Sequence, residues 1–286
     1  MDGEWSATLL LCGIYSLVAI ATQLGIICGA FSLAPIGWMS VGAYAAALAA
    51  TKWQVGGATG LAIGVLVAVV FGPLVMLPVR RISGLYFALV SLAFVLVIQS
   101  VVSHMDYTGR ALGIFGVPLL TNLWHVGIAL VLVCGVAAFM TGGWRGRALR
   151  AAGQDPKVAY SMGVNVANLQ LVVGAISAVI GVVAGFLYAH YVGYVDPTQY
   201  GFAMVVQVIT MVIIGGRGHW MGAIIGAFLI TSLPLILRPL AEWRDVVNGA
   251  LLIVVAVLLP AGIFGVFGLF RRRAGPVDPA EAKAGH

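Results

Sequence analysis

Eight stretches of this chain contain no Asp, Glu, Lys or Arg, at 5–51, 53–79, 82–105, 111–144, 158–195, 197–216, 218–237 and 246–270. Each reaches the about 20 residues that a helix needs to cross the hydrocarbon core of a bilayer. The first is too long for one helix and is expected to fold back near Ser32 to Gly37. That predicts about nine crossings, or eight to ten if the fold-back or a short stretch is divided differently. Barrel strands would alternate polar and apolar residues over about 10 positions, and these stretches do not. The expected fold is all-α, a polytopic transmembrane helical bundle.

Composition supports the same class. Hydrophobic residues make up 62% of the chain, charged residues 8%, and the mean hydropathy is +1.07. Soluble chains carry about 25% charged residues. Residues 1–270 are expected to form the membrane domain, and 271–286, rich in Pro, Ala, Gly and charge, a disordered cytoplasmic tail. The opening Met1-Asp2-Gly3-Glu4 lacks the basic region of a cleaved signal, so the first crossing is expected to stay as a membrane helix. Cys12, Cys28 and Cys134 fall inside the apolar stretches with no paired spacing and read as small buried residues.

Charge sets the expected orientation, because Lys and Arg accumulate on the cytoplasmic side. With 143–168 cytoplasmic, nine crossings place eleven of the fifteen Lys and Arg residues inside, including Arg80, Arg81, Arg217 and Arg271 to Arg273. Lys52, Arg110, Arg238 and Arg244 stay outside with most of the acids, among them Asp106 and Asp196. The N-terminus is then external and the C-terminus cytoplasmic. This bias also explains a pI near 9.5. No basic run is interleaved with aromatics as a nucleic-acid groove would be, so the expected partners include membrane lipid and exclude nucleic acid.

Glycine is abundant, at 38 residues, and much of it lies within the apolar stretches. Gly181 with Gly185 and Gly222 with Gly226 make small-xxx-small faces that let membrane helices approach closely. Pro73 and Pro78 are expected to end the third crossing, Pro197 follows Asp196 at the outer mouth, and Gly215-Gly216-Arg217-Gly218 makes an inner turn.

Catalysis by this chain is not expected. No charged residue falls inside a crossing, which argues against an ion-coupled carrier. No Gly-x4-Gly-Lys-Ser/Thr phosphate loop is present. His104, His125, His190 and His219 are scattered at the ends of crossings, where solvated edges are expected, and none has metal-pair spacing. The expectation is no catalytic residue, no metal and no cofactor. Polar residues within the crossings include Gln23, Tyr86, Ser91, Gln99, Tyr188, Gln207 and Thr210. Each is either interhelical glue, at about 0.6–2 kcal/mol apiece, or part of a sparse polar lining for a translocation path. Tyr86, Ser91, Gln99, Tyr188, Gln207 and Thr210 are the path candidates.

One polar segment stands apart. Five charged residues lie within Arg145 to Lys157, between long uncharged flanks. A structured polar loop in that position is a surface for a partner.

The residues also resemble a known family. Arg80-Arg81-Ile82-Ser83-Gly84-Leu85-Tyr86-Phe87-Ala88, running on through Ser91-Leu92-Ala93-Phe94, is similar to a signature of the membrane permeases of branched-chain amino-acid ABC importers, in the M-type subunit. Gly146-Arg147-Ala148-Leu149-Arg150, with Ala159-x-x-x-Gly163-Val164-Asn165-Val166, resembles the loop of that family. Ala184-Gly185 through Tyr188-Ala189-His190 to Gly193-Tyr194-Val195 and Pro197 continues the order, followed by Gly215-Gly216-x-Gly218 and by Leu252-Ile253 to Pro260-x-Gly262. The resemblance covers about residues 10–273.

It implies a permease of the bacterial inner membrane that works by ATP-driven alternating access for branched-chain or other hydrophobic amino acids. The implied partners are a homologous second permease, two cytoplasmic ATPase subunits that bind the ATP, and a soluble or lipid-anchored substrate-binding protein. Arg147, Arg150, Asp155, Pro156, Ala159, Met162, Gly163 and Asn165 would form the ATPase-coupling loop, with Ala159 as the small contact on the motor. The chain departs from the family pattern at Ala34-Pro35, where Gly-His is common, at Arg217, and at Lys157, Tyr160 and Ser161, where Glu is common. Alternatives are another small solute in the same importer class (urea, a short amide or an aromatic acid), a secondary carrier or facilitative channel, or a scaffolding protein with no path.

Overall fold

A computed structural model of the chain describes residues 2–77, 82, 84–216 and 218–236. The uncharged stretches, and the charged segment set between two of them, become helices: α1 (Asp2–Ile27), α2 (Ala34–Thr51), α3 (Gly57–Met76), α4 (Leu85–His104), α5 (Leu123–Thr141), α6 (Gly143–Gln154), α7 (Pro156–Ser161), α8 (Val166–Val192), α9 (Phe202–Gly215) and α10 (Trp220–Ile236). Among the described residues six helices are long and apolar enough to cross a membrane, comprising α1, α3, α4, α5, α8 and a helical stretch from Pro197 to Gly215 that includes α9. The expected crossing at 246–270 and the tail at 271–286 lie outside the described residues.

Helices prove shorter than the stretches that predict them. The first stretch breaks at 28–33, slightly before the expected point, and Pro35 stands in the first turn of α2, where its missing N–H is no loss. Residues 111–122 form a connecting segment ahead of α5, which covers only Leu123–Thr141. Pro73, expected to end a crossing, lies inside α3, which runs on to Met76. The apolar surroundings leave the helix its remaining backbone bonds, and a single proline does not break it.

The core is the packing of α8 on α2, with α1 and α3 on their flanks. Glycine makes that approach possible. A Cβ at Gly42 would stand 2.6 Å from Val182 Cα, and one at Gly185 would collide with the Met39 carbonyl and stand 2.9 Å from Ala43 N. At Gly181 a Cβ would meet Trp38 Cβ at 2.9 Å. The second small-xxx-small face works in the same way: a Cβ at Gly226 would lie 3.0 Å from Gly215 N, and one at Gly222 would lie 2.8 Å from Gly215 C. α10 therefore lies backbone to backbone on α9. Membrane helices without a hydrophobic drive to associate pack through such residues.

The bundle has two ends. At one, Gln170 Nε2 donates to Cys28 O at 3.2 Å, and the backbones of Gly29 and Gly153 approach so closely that a Cβ on Gly29 would lie 3.0 Å from Gly153 Cα. Burial, and then the neighbouring Arg150 guanidinium, hold the His219 imidazole below its ordinary range. At the other end, β1 (Ile114–Phe115) pairs antiparallel with β2 (Tyr194–Val195), Val117 N donates to Gly193 O at 3.0 Å, and Thr121 Oγ1 donates to Leu187 O at 2.9 Å. Residues 28–33, 142–165, 216 and 218–219 thus share one end, and 52–56, 105–122 and 193–201 the other. His190, expected at a solvated edge, is buried, with Nδ1 3.1 Å from Phe186 O and its ring on Phe186 at 4.4 Å. The segment after β1 packs on this end of α8, with Leu120 N and Thr121 N donating to His190 O at 3.2 and 3.4 Å.

Candidate functional site

The 143–168 segment is two helices set outside the apolar bundle. α6 is amphipathic: Leu149 and Ala152 are buried against the bundle while Arg147 and Arg150 are exposed. Arg145 lies over the Phe139 ring at 3.9 Å, and Arg150 Nη1 reaches Thr141 O at 3.3 Å. These contacts tie the basic helix to the end of α5.

α7 is short, and its shape comes from its caps. Asp155 Oδ1 accepts from Lys157 N at 2.9 Å and Val158 N at 3.2 Å, and Pro156 occupies the first helical position. Such an N-cap is worth about 1 kcal/mol. At the other end Gly163 takes φ +83, its N–H donates to Tyr160 O at 3.0 Å, and Val164 N donates to Ala159 O at 3.0 Å. This left-handed C-terminal stop suits glycine, which has no Cβ to clash. Asn165 Oδ1 then caps α8 by accepting from Asn168 N at 3.1 Å. Asp155, Pro156, Gly163 and Asn165 therefore fix the angle at which α7 projects.

Ala159 is 0% exposed and faces the protein's own interior. The large apolar side chains that α7 and its C-cap turn outward are Val158, Tyr160 and Met162, the last two 75% and 76% exposed. Val158 was not singled out from the sequence, and Tyr160 was marked only as a departure from the family pattern. The available signal was their spacing against a buried Ala159 on a helix just over one turn long.

The six path candidates do not form one lining. Ser91 is interhelical glue: its hydroxyl accepts from Leu33 N and donates to Ala88 O, both at 2.9 Å. Thr210 donates to Val206 O within its own helix at 2.8 Å. Tyr86 is exposed on the flank of α4, and Gln207 is half-buried on α9. Gln99 and Tyr188 do converge, on the 3-10 turn Pro197–Tyr200 and the glycine after it. The Gln99 amide nitrogen lies 2.9 Å from where a Gly201 Cβ would stand, and Tyr188 meets Tyr200 edge to face at 6.1 Å. Tyr15 joins them, its ring 6.2 Å from that of Tyr188. Tyr15 and Tyr200 fall in no motif, and only their occurrence within apolar stretches marks them.

An open groove of about 620 Å³ between α3 and α5, floored by α8, is lined by residues such as Leu61, Ile128, Val179 and Phe186. It offers a polar solute almost nothing. Among the described residues no three His, Cys, Asp or Glu side chains group as metal ligands.

A family model described as the permease component of a branched-chain amino acid transport system matches residues 5–256. The chain belongs to this permease family. The high-affinity branched-chain amino acid permease protein LivM of Salmonella typhimurium is 26% identical over 263 residues, covering 79% of this chain and 62% of LivM. LivH of Escherichia coli is 34% identical over 122 residues, 42% of this chain and 39% of LivH. The autoinducer 2 import permease LsrC of Yersinia pseudotuberculosis is 29% identical over 150 residues, covering 49% of this chain and 42% of LsrC. The chain thus spans well under two thirds of LivH and just under two thirds of LivM. The longer LivM match agrees with the M-type resemblance. No solved structure matches. The chain is a multi-pass membrane permease component of a transport system.

Proposed function

We propose that this permease is the membrane subunit of an ATP-driven importer for branched-chain or other hydrophobic amino acids, with α6 and α7 on the cytoplasmic side and about nine crossings. The observation that carries the reading is the α7 projection. An apolar edge of Val158, Tyr160 and Met162 stands on a helix capped at both ends and raised outside the apolar bundle by basic α6. Exposed apolar side chains held so rigidly suit a partner's groove. The partner is an ATPase, since this chain lacks a nucleotide loop. A second permease, a second ATPase and a substrate-binding protein complete the assembly in the bacterial inner membrane.

Another solute in the same importer class is the second reading. It draws on the match to LsrC, named for autoinducer 2 import, and on Ala34-Pro35 at the start of α2. Reconstitution tests the function. In proteoliposomes the chain alone gives neither solute uptake nor ATP hydrolysis, whereas the four-subunit complex with binding protein takes up L-leucine only with ATP. Uptake by the lone chain down a gradient would replace the importer with a facilitative channel.

A further inference from the structure

The tyrosines near the 193–201 end carry an inference that rests on the amino-acid importer reading and refines it. Tyr15 of α1, Tyr44 of α2, Tyr188 of α8 and Tyr200 of the 3-10 turn come from four separate elements. Tyr188 meets Tyr200 edge to face at 6.1 Å, Tyr15 lies 6.2 Å from Tyr188, and α2, which bears Tyr44, packs against the Pro197–Tyr200 turn that Asp196 caps. Tyr44 is 4% exposed and Tyr200 1%. Neither hydroxyl has a hydrogen-bond partner among the described residues, nor does Ser40 Oγ, one helical turn below Tyr44, nor Gln199 Oε1, beside Tyr200 in the chain.

An unmade hydrogen bond on a buried hydroxyl is destabilising, so most buried polar groups are paired. Elsewhere in the described bundle most buried hydroxyls obey that rule, Thr231 Oγ1 on α10 being an exception. Ser16, Thr22, Thr141 and Thr210 each donate to the carbonyl four residues back, and Ser177 reaches Ala21 O. Gln23 Oε1, His190 Nε2 and Thr231 Oγ1 are unpaired singly on α1, α8 and α10, whereas Ser40, Tyr44, Gln199 and Tyr200 gather on α2 and the turn that packs against it.

We propose that the Tyr44 and Tyr200 hydroxyls, walled by Tyr15 and Tyr188, form a binding site for the polar head of an amino-acid zwitterion on its way through the bundle. Phenolic O–H groups donate to a carboxylate. The Gln199 amide oxygen, the Asp196 carboxylate and the tyrosine faces attract an ammonium. No full charge lies within the described crossings, so the carboxylate is met by neutral donors, and Asp196 at the mouth is the one acidic group beside the turn. Such a site reads the head common to all amino acids and leaves the side chain unread.

Tyr200→Phe and Tyr44→Phe test this in the full importer complex in proteoliposomes, with L-leucine as probe. Each removes one oxygen and leaves the ring packing. A hydroxyl that meets the carboxylate gives an at least about tenfold loss in leucine transported per ATP hydrolysed, with complex yield unchanged. A hydroxyl that is merely unpaired gives a variant of equal or higher thermal stability and unchanged leucine per ATP, and that result overturns the site. Wild-type complex that hydrolyses ATP but takes up no leucine overturns the amino-acid reading itself, a failure distinct from that of the site.

Discussion

Gly185→Leu is expected to leave almost no folded protein in the membrane, the largest effect of any single substitution considered for this chain. The α2–α8 contact is the centre of the bundle, and Gly185 meets the α2 backbone at Met39 and Ala43. The obstacle is main chain, which cannot swing aside as a flexible side chain does. Extra methylenes in a packed core cost about 1–3 kcal/mol when side chains can yield. Forcing two helices apart along the length of a leucine exceeds that and consumes much of a typical stability of about 5–15 kcal/mol. Detergent-solubilised variant should elute as aggregate in size-exclusion chromatography. Gly127→Leu is the control, since a Cβ there meets nothing within 4 Å, and it should elute as wild type.

Gly163→Pro is expected to abolish coupled transport while leaving the bundle intact. Proline fixes φ near −65°, removes the N–H and so cannot occupy a residue at φ +83 whose N–H donates to Tyr160 O. The stop of α7 must rebuild, and Val158, Tyr160 and Met162 lose their fixed direction. A solvated loop would absorb the change within about 0.5 kcal/mol. ATP-driven uptake should fall at least about tenfold, equivalent to roughly 1.4 kcal/mol of docking energy, with normal membrane insertion. Gly163→Ala keeps the N–H and should give an intermediate loss, because the left-handed backbone costs a non-glycine residue about 1–3 kcal/mol. Wild-type uptake in Gly163→Pro would remove α7 from the mechanism.

The helical class, the helix positions and the two small-xxx-small contacts were legible because apolar length and glycine spacing act locally. The breaks were less so. Residues 111–122 are uncharged yet form the loop that pairs with β2, a tertiary contact that no window of sequence contains. Pro73 stays in α3 because nonpolar surroundings preserve the helix around it. At α7, the motif residues Asp155, Pro156 and Gly163 were visible, but what they do is shape the helix, and the outward side chains depend on which way its one turn faces. Ala159 shows the difference: its small size fits the protein's own interior. Among the path candidates, Ser91 and Thr210 are satisfied by neighbouring backbone, a fact of geometry that residue type does not disclose. Tyr44 and Tyr200 escaped the sequence because nothing local marks a hydroxyl whose partners are missing.

The central claim is that α7 delivers ATPase motion to the bundle from the cytoplasmic side. Site-directed cross-linking tests it most directly, with Cys12, Cys28 and Cys134 first replaced by alanine. In membranes containing the whole complex, Tyr160→Cys should form a covalent adduct with the ATPase through a short bifunctional thiol reagent. In intact cells it should resist an impermeant maleimide that labels the exposed Tyr107→Cys at the opposite end. Labelling of Tyr160→Cys from outside, or an adduct with the binding protein in place of the ATPase, would contradict both the orientation and the coupling role.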